Sequence, residues 1–153
     1  MNRNIRKAEA KDVTVIAQFN QAMALETEQK ALDLTVVEKG VRALLDTPGY
    51  GFYLVTVIEE QPVACLMITF EWTDWRNGVF WWIQSVYVTP AHRRKGIFKQ
   101  LYLHVETMAQ QAPLVRGLRL YVDNDNLTAQ ATYVTLGMTR TAYSLFETEF
   151  TDL

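Results

Sequence analysis

The sequence is poor in the residues that stabilise small proteins through covalent or metal bonds. Its 153 residues include one cysteine, Cys65, and two histidines. One cysteine cannot form an internal disulfide, which excludes a disulfide-rich secreted scaffold and favours a reducing cytoplasm. The apolar residues around Cys65 predict a buried thiol rather than a nucleophile. His92 and His104 have no partner at metal-ligand spacing, so we expect no metal site.

Long apolar runs and a strong charge of either sign are also missing. The apolar runs are interrupted too early to span a bilayer, and the N-terminal stretch MNRNIRKAEAKDV has no apolar signal core, so we expect no membrane partner. The net charge of −2 and the pI of about 5.7 give no general attraction to nucleic acid. With four prolines, seven glycines and 49% hydrophobic residues, the chain is expected to fold as one domain, residues 1–153.

The periodicity of apolar residues predicts a mixed fold with the order strand, two helices, three strands, helix, strand, helix, strand. The predicted helices are one that reaches residue 26, one opened by Thr35 and Glu38 as a capping box, one from residue 97 to a break at Pro113 and one at 126–136. The predicted strands are a first strand at 4–7, a hairpin that turns at 59–62, an interior strand in VFWWIQSVYV, a strand in LRLYV and a final strand in TAYSLFETEF.

Three consecutive basic residues, Arg93, Arg94 and Lys95, stand where the third helix must begin. Helix starts usually attract acids, so basic residues there indicate a bound anion. The free amides of the first helical turn and the glycine at position 96 would let a phosphate approach the backbone closely. The spacing matches neither a Walker loop nor a dinucleotide-binding fingerprint. For the triplet alone, a solvated surface is the alternative.

The segment VYVTPAHRRKGIFKQLY resembles the acyl-CoA-binding motif Gln/Arg-x-x-Gly-x-Gly/Ala of the GNAT superfamily of N-acetyltransferases. Arg93 and Gly96 occupy its first and fourth positions, whereas Phe98 replaces the small sixth residue. In the family, that small residue lets the helix start lie close to the pyrophosphate. Phe98 must therefore turn away from the cofactor, or the pyrophosphate must shift.

A second segment, VDNDNLTAQATYVTLGM, resembles the later GNAT pattern Asn-x-x-Ala-x-x-x-Tyr-x-x-x-Gly-Phe. Asn126, Ala129, Tyr133 and Gly137 are in register, with Met138 in place of Phe. Two motifs in the expected order, each at a strand-to-helix junction, are far more specific than either alone. Outside the resemblance, Tyr133 would be a core aromatic and Asn126 a helix cap.

The resemblance implies a GNAT-type α/β (α+β) fold: a mixed, mostly antiparallel central sheet of about six strands, flanked by about four helices and splayed between its fourth and fifth strands. It also implies acetyl-CoA as co-substrate, with no metal. The diphosphate would lie at the basic loop, and the pantetheine amides would pair with backbone groups in the splay. The cofactor-binding residues implied in this way are Val86, Val88, Arg93, Arg94, Lys95, Gly96, Ile97, Phe98, Lys99, Asn126 and Ala129.

The implied reaction is direct transfer of acetyl to a primary amine of a small molecule or a peptide, with Tyr133 as general acid. Many relatives carry a glutamate on the middle strand, but the corresponding stretch here holds Trp81, Trp82 and Gln84, none of which is a carboxylate base. We prefer Glu26 as base or acceptor anchor. Acids and aromatics that would attract a cationic amine are Glu28, Glu71, Trp72 and Asp74. Surface charge, core packing and dimer contacts are the alternatives for these residues.

Three classes of function are therefore weighed. The first is an acetyl-CoA-dependent N-acetyltransferase, with a homodimer suggested by the tryptophans and the final strand. The second is a GNAT-like module that binds acyl-CoA without turnover; Phe98 and the missing strand glutamate slightly favour it, whereas Tyr133 in register argues against it. The third, a nucleic-acid binder, is disfavoured by the acidic pI and by the lack of a recognition-helix pattern.

Overall fold

The computed structural model describes residues 2–150, within which the chain forms five strands and four α-helices. The strands are β1 Arg3–Lys7, β2 Gly51–Ile58, β3 Gln61–Thr73, β4 Gly78–Val88 and β5 Val115–Arg119. The helices are α1 Val13–Glu28, α2 Leu34–Asp46, α3 Ile97–Gln111 and α4 Leu127–Thr135. The chain divides into two units, one ending at Leu120 and the other beginning at Tyr121, and each is described by itself.

The first unit contains a single mixed sheet with the strand order β1-β2-β3-β4-β5. The first four strands pair antiparallel with their chain neighbours, and β5 pairs parallel with β4. The β4–β5 pairing covers only Val79–Trp82 of β4, so beyond Trp82 the strand is hydrogen-bonded to β3 alone in the described sheet. The sheet therefore opens between its fourth and fifth strands, as expected. The outer strands read RNIRK and VRGLR.

The prediction of about six strands is wrong for the described residues, because the sheet has five. Residues 141–150, predicted as the final strand, form no strand there, and Tyr143 and Phe146 are 81% and 93% exposed. The β-branched and aromatic residues of this segment favour a strand conformation, but a strand also needs a neighbouring strand for its backbone hydrogen bonds.

The start of α2 also differs from the prediction of a Thr35–Glu38 capping box. Asp33 is the N-cap residue, and its carboxylate accepts a hydrogen bond of 2.8 Å from the backbone N–H of Thr35. The carboxylate satisfies one of the free amides of the first turn and complements the helix dipole.

The hairpin between β2 and β3 turns at Glu59 and Glu60, both of which have left-handed backbone.

Helices cover both faces of the sheet. On one face, α1 and α2 pack over β2, β3 and β4 in an apolar cluster formed by Val13, Ile16, Ala17, Phe19, Val41, Leu44, Tyr53, Val55, Cys65 and Tyr87. On the other, α3 packs against β2, β4 and β5 through a stripe of buried residues, Ile97, Leu101, Tyr102, Val105 and Ala109. Burial raises the pKa of the Cys65 thiol to about 12, which fits an inert core thiol.

A buried ion pair ties β1 to the start of α1. Asp12 is 2% exposed, and its carboxylate accepts bonds from Nη1 and Nη2 of Arg6 at 2.7 and 3.1 Å and from the N–H of Glu9 at 2.7 Å. Burial by itself raises the pKa of Asp12, but the bonds from Arg6 and Glu9 outweigh it, so the pKa lies below its ordinary value.

None of the helices within residues 2–150 combines the length with the apolar composition that crossing a bilayer requires.

Candidate active site

The basic loop between β4 and α3 is held in a defined conformation. A 3-10 turn at Pro90–His92 follows the strand, and Thr89 Oγ1 lies 2.8 Å from Nδ1 of His92. Arg94 and Gly96 both have left-handed backbone, with φ of 62° and 78°. Such values are costly for a side chain with a Cβ, so their presence in one short loop indicates a turn of special shape.

The N-terminus of α3 is open toward the solvent. Gly96 is its N-cap residue and has no side chain, so the first-turn N–H groups of Ile97 and Lys99 receive no bond from a capping side chain. A Cβ built on Gly96 would meet no described atom within 4 Å. Arg94 and Lys95 are exposed beside it. A helix start without a side-chain cap, open space and two cations together suit a diphosphate.

Arg93 takes a different direction from the other two basic residues. Its Nε donates to the carbonyl of Val88 at 2.9 Å, and its Nη2 lies 2.8 Å from Oε2 of Glu26 in the last turn of α1. Its guanidinium lies 5.3 Å from the ring centroid of Tyr87, whose hydroxyl donates to Oε1 of Glu26 at 3.2 Å. We call Glu26, Tyr87 and Arg93 the carboxylate cluster.

Tyr87 is the buried member of the carboxylate cluster. Its ring is 7% exposed and packs on Phe19 at 5.3 Å between centroids. Burial raises the pKa of the Tyr87 hydroxyl, and the bond to Glu26 raises it further, so the hydroxyl stays a donor at neutral pH. Tyr87 therefore fixes one oxygen of Glu26, while the exposed guanidinium of Arg93 holds the other.

The end of β4 is irregular where Val86 and Val88 lie. The β3–β4 register shifts between Cys65 and Met67, and Ser85 has a left-handed φ of 50°. Beyond this bulge, Val88 pairs with Ala64, and its carbonyl is already bonded to Arg93. A bulge re-aims backbone groups and ends regular pairing, so the strand changes direction at the splay.

Phe98, which departs from the small residue of the motif, packs along α3. Its ring centroid lies 6.4 Å from that of Tyr102, one helical turn further on. The preceding Ile97 is 2% exposed and belongs to the core under α3. Both side chains thus have apolar neighbours.

The acids and aromatics of the β3–β4 hairpin lie in separate surroundings. Glu71 forms an ion pair of 2.5 Å with Arg119 on β5, and Arg119 stacks 3.7 Å from the ring centroid of Phe80. Trp72 follows Glu71 on the same strand and therefore faces the opposite side of the sheet, where it is 58% exposed. Asp74 lies in the exposed 3-10 turn. Glu28, at the end of α1, is exposed.

The second unit contains the residues of the later motif. Asn126 is the N-cap residue of α4, and its Oδ1 accepts a bond of 3.1 Å from the N–H of Ala129. Burial raises the pKa of the Tyr133 hydroxyl above its ordinary value. Gly137, with φ of 96°, donates to the carbonyl of Val134 and follows the end of the helix.

The acetyltransferase (GNAT) family profile matches residues 17–138. The chain belongs to the GNAT family. A solved structure described as a possible acetyltransferase from Clostridium difficile 630 is 43% identical, with a TM-score of 0.92 over 99% of this chain and 100% of that chain. No curated protein matches the chain. The resemblance inferred from the two motifs is thereby confirmed.

Two more distant solved structures share the fold. A predicted acetyltransferase from Clostridium acetobutylicum, solved with acetyl-CoA, is 17% identical, with a TM-score of 0.78 over 96% of each chain. A protein described as a transcriptional regulator from Bacillus halodurans C-125 is 18% identical, with a TM-score of 0.83 over 97% of this chain and 100% of that chain. At these identities the likeness concerns the fold alone.

Two residues of this GNAT chain were missed by sequence reasoning, Tyr87 and Arg119. Each partners an acid that the sequence did single out, Glu26 and Glu71. Tyr87 lies between the two valines of the candidate cofactor strand, and that position was a usable signal. Arg119 gave no such signal.

Within residues 2–150, no three His, Cys, Asp or Glu side chains gather in a group that could hold a metal ion.

Proposed function

We propose that the protein is an acetyl-CoA-dependent N-acetyltransferase that acts on a primary amine of a small molecule or a peptide. The observation that carries this proposal is the uncapped N-terminus of α3, with open space at Gly96 and two exposed cations, in a member of the GNAT family. The acetyl-CoA named for the Clostridium acetobutylicum protein supports the choice of co-substrate.

The cofactor loop would hold the diphosphate through the N–H groups of Ile97, Phe98 and Lys99 and through the side chains of Arg94 and Lys95. Backbone groups of Val86 and Val88 would pair with the pantetheine arm at the splay, in the manner of an added strand. Asn126 and Ala129 would contribute from the start of α4. Acetyl-CoA supplies the activated acetyl group.

The acceptor amine must lose a proton before it attacks the thioester. For a lysine-like amine with a pKa of about 10.4, deprotonation at pH 7 costs about 4.6 kcal/mol. Glu26 is the base or acceptor anchor that we propose, supported by its partly exposed carboxylate and by the bond from Tyr87 that fixes it. A strand N–H of Val86 or Val88 would polarise the thioester carbonyl.

Tyr133 is the proposed general acid for the departing thiolate. Its raised pKa keeps the hydroxyl protonated at neutral pH, which is the state that an acid needs. For the acceptor we propose Glu28, Asp74 and one of the pair Glu71 and Trp72. These two lie on opposite faces of β3, so one bound amine could meet only one of them.

The test of the function is acceptor-dependent release of free thiol from acetyl-CoA. Polyamines, amino acids, amino sugars and lysine peptides form the panel, with acetyl-CoA hydrolysis in the absence of amine as background. We expect at least one class to give saturable release above background. Saturable binding of acetyl-CoA without release for any amine would contradict turnover and support the non-catalytic acyl-CoA-binding module.

The acid is tested by Tyr133→Phe. General acid catalysis is typically worth about 10²–10⁴-fold, so the thiol release rate should fall by that factor while the affinity for CoA stays unchanged. Tyr143→Phe in the same unit, where the ring is 81% exposed, is the matched control. An unchanged rate in Tyr133→Phe would remove this residue as the acid.

We also propose a cytoplasmic location and a homodimer, without a nucleic-acid or membrane partner. The buried, lone Cys65 supports a reducing compartment. Exposed aromatic side chains such as Trp75 support a contact between copies.

A further inference from the structure

The ion pair within the carboxylate cluster lies partly in solvent. The side chains of Arg93 and Glu26 are 43% and 42% exposed, although their closest atoms are only 2.8 Å apart. Ion pairs with this much exposure contribute about 0.2–1 kcal/mol, because water compensates both charges. The guanidinium is thus held in place without being locked there.

Arg93 belongs to the loop that leads into α3, but its side chain is bonded to β4 and α1. Its backbone is extended, and the side chain folds back along β4 to the Val88 carbonyl and the end of α1. A diphosphate at the helix start would be a second acceptor for this guanidinium. Arginine forms bidentate, charge-assisted bonds to phosphate as well as to carboxylate, so a diphosphate can compete with Glu26 for it.

We propose that Glu26 and the diphosphate of coenzyme A compete for Arg93, so that cofactor binding releases the Glu26 carboxylate for a cationic amine. This inference rests on the proposed function and adds the residue that couples the two substrates. Because one guanidinium serves both acceptors, the coupling is reciprocal: whatever weakens the Arg93–Glu26 pair tightens cofactor binding.

Tyr87 holds the Glu26 carboxylate in position after Arg93 has left it. It bonds the other oxygen of Glu26 and is anchored on Phe19, so the carboxylate keeps its place when Arg93 leaves. Once Arg93 has left, the Glu26 carboxylate is still held by the bond from Tyr87, and its uncompensated negative charge attracts a protonated amine. Before the cofactor binds, the same carboxylate is neutralised by Arg93. The substrate class that this device selects is a protonated amine, admitted after coenzyme A.

The test is a double-mutant cycle on CoA affinity, measured by calorimetry with wild type, Glu26→Gln, Arg93→Gln and the double variant. Freed from its pair, Arg93 should tighten CoA binding about 1.4- to 5-fold in Glu26→Gln. Arg93→Gln should weaken binding, and adding Glu26→Gln to it should then give no gain. Asp46→Asn, which removes one negative charge from the end of α2, is the control.

The outcomes separate the two proposals. A gain in Glu26→Gln that persists without Arg93 would mean simple charge repulsion and overturn the competition. Unchanged affinity in Glu26→Gln or in Arg93→Gln would overturn it as well, while leaving the acetyltransferase proposal standing. Failure of the folded wild type to bind CoA at all would instead refute the proposed function itself.

A spectroscopic readout follows the guanidinium directly. The ring protons of Tyr87, assigned with Tyr87→Phe, should shift on addition of CoA to wild type, because Arg93 leaves the ring face. In Arg93→Gln the same signals should barely respond to CoA at saturating concentration. An equal response in both proteins would contradict movement of Arg93. Circular dichroism checks that each variant is folded.

Discussion

Gly96→Ala separates the backbone's role in binding from its role in folding. The residue has φ of 78°, and the added methyl would meet no described atom within 4 Å. Within the protein the substitution therefore causes strain but no clash. A left-handed conformation costs an alanine about 1–2 kcal/mol, which for a chain of this size lowers the melting temperature by about 2–8 °C.

The effect on the cofactor should be larger than the effect on stability. The methyl occupies the space in front of the α3 amides, so the diphosphate loses close contact with one of them. A hydrogen bond to a charged group contributes about 1.5–3 kcal/mol, which corresponds to about a 10- to 150-fold loss of CoA affinity. Calorimetry with CoA measures this loss, and thermal denaturation followed by circular dichroism measures the strain.

Gly137→Ala is the matched control. Gly137 also has left-handed backbone, with φ of 96°, and also has no described atom within 4 Å of a built Cβ. It should show the same strain while binding CoA like wild type. Wild-type CoA affinity in Gly96→Ala, or equal losses in both variants, would refute the diphosphate site at α3.

Two further predictions concern the core. Asp12→Asn should lower the free energy of unfolding by about 2–3 kcal/mol, because Arg6 loses its charged acceptor. The folded pKa of Asp12 lies below its unfolded value of about 3.9, so this stabilisation is present above that pH and is lost as the pH falls through the folded pKa. Urea titrations should show a weaker acid dependence in the variant, and identical curves would contradict this account. Cys65, with a pKa of about 12, should react with a thiol reagent at pH 8 only in denaturant, and rapid labelling of the folded protein would count against burial.

The sequence predicted the elements whose signals are local. Helical spacing located α1 and α3, because one face of each is buried on the sheet, and two segments rich in β-branched and aromatic residues around a polar turn located the β2–β3 hairpin. The final strand was predicted wrongly, since residues 141–150 have the composition of a strand but no pairing within the described sheet. A local sequence pattern indicates the propensity to form a strand, whereas the pairing of that strand depends on residues that are distant in the sequence.

In the candidate site, too, the features that are local in sequence could be predicted and those formed by distant residues could not. The loop from Arg93 to Gly96 is continuous in sequence, so its basic residues and glycine were visible there. The carboxylate cluster was not, because Glu26 lies 61 residues from Tyr87 and 67 from Arg93. Glu71 and Trp72 were grouped because they are adjacent, although adjacent residues of a strand face opposite sides.

The two outer strands of the sheet have a bearing on how copies of this chain meet. An unprotected edge offers unpaired backbone groups to any other strand and invites aggregation. Here Arg6 and Arg119 are paired with Asp12 and Glu71, but Arg3 and Lys7 on β1 and Arg116 on β5 form an ion pair with no described acid. Bringing two such edges together would bring like charges together, so edge-to-edge pairing of sheets is discouraged at both ends. Any stable association between copies should therefore use faces and side chains rather than the sheet's margins.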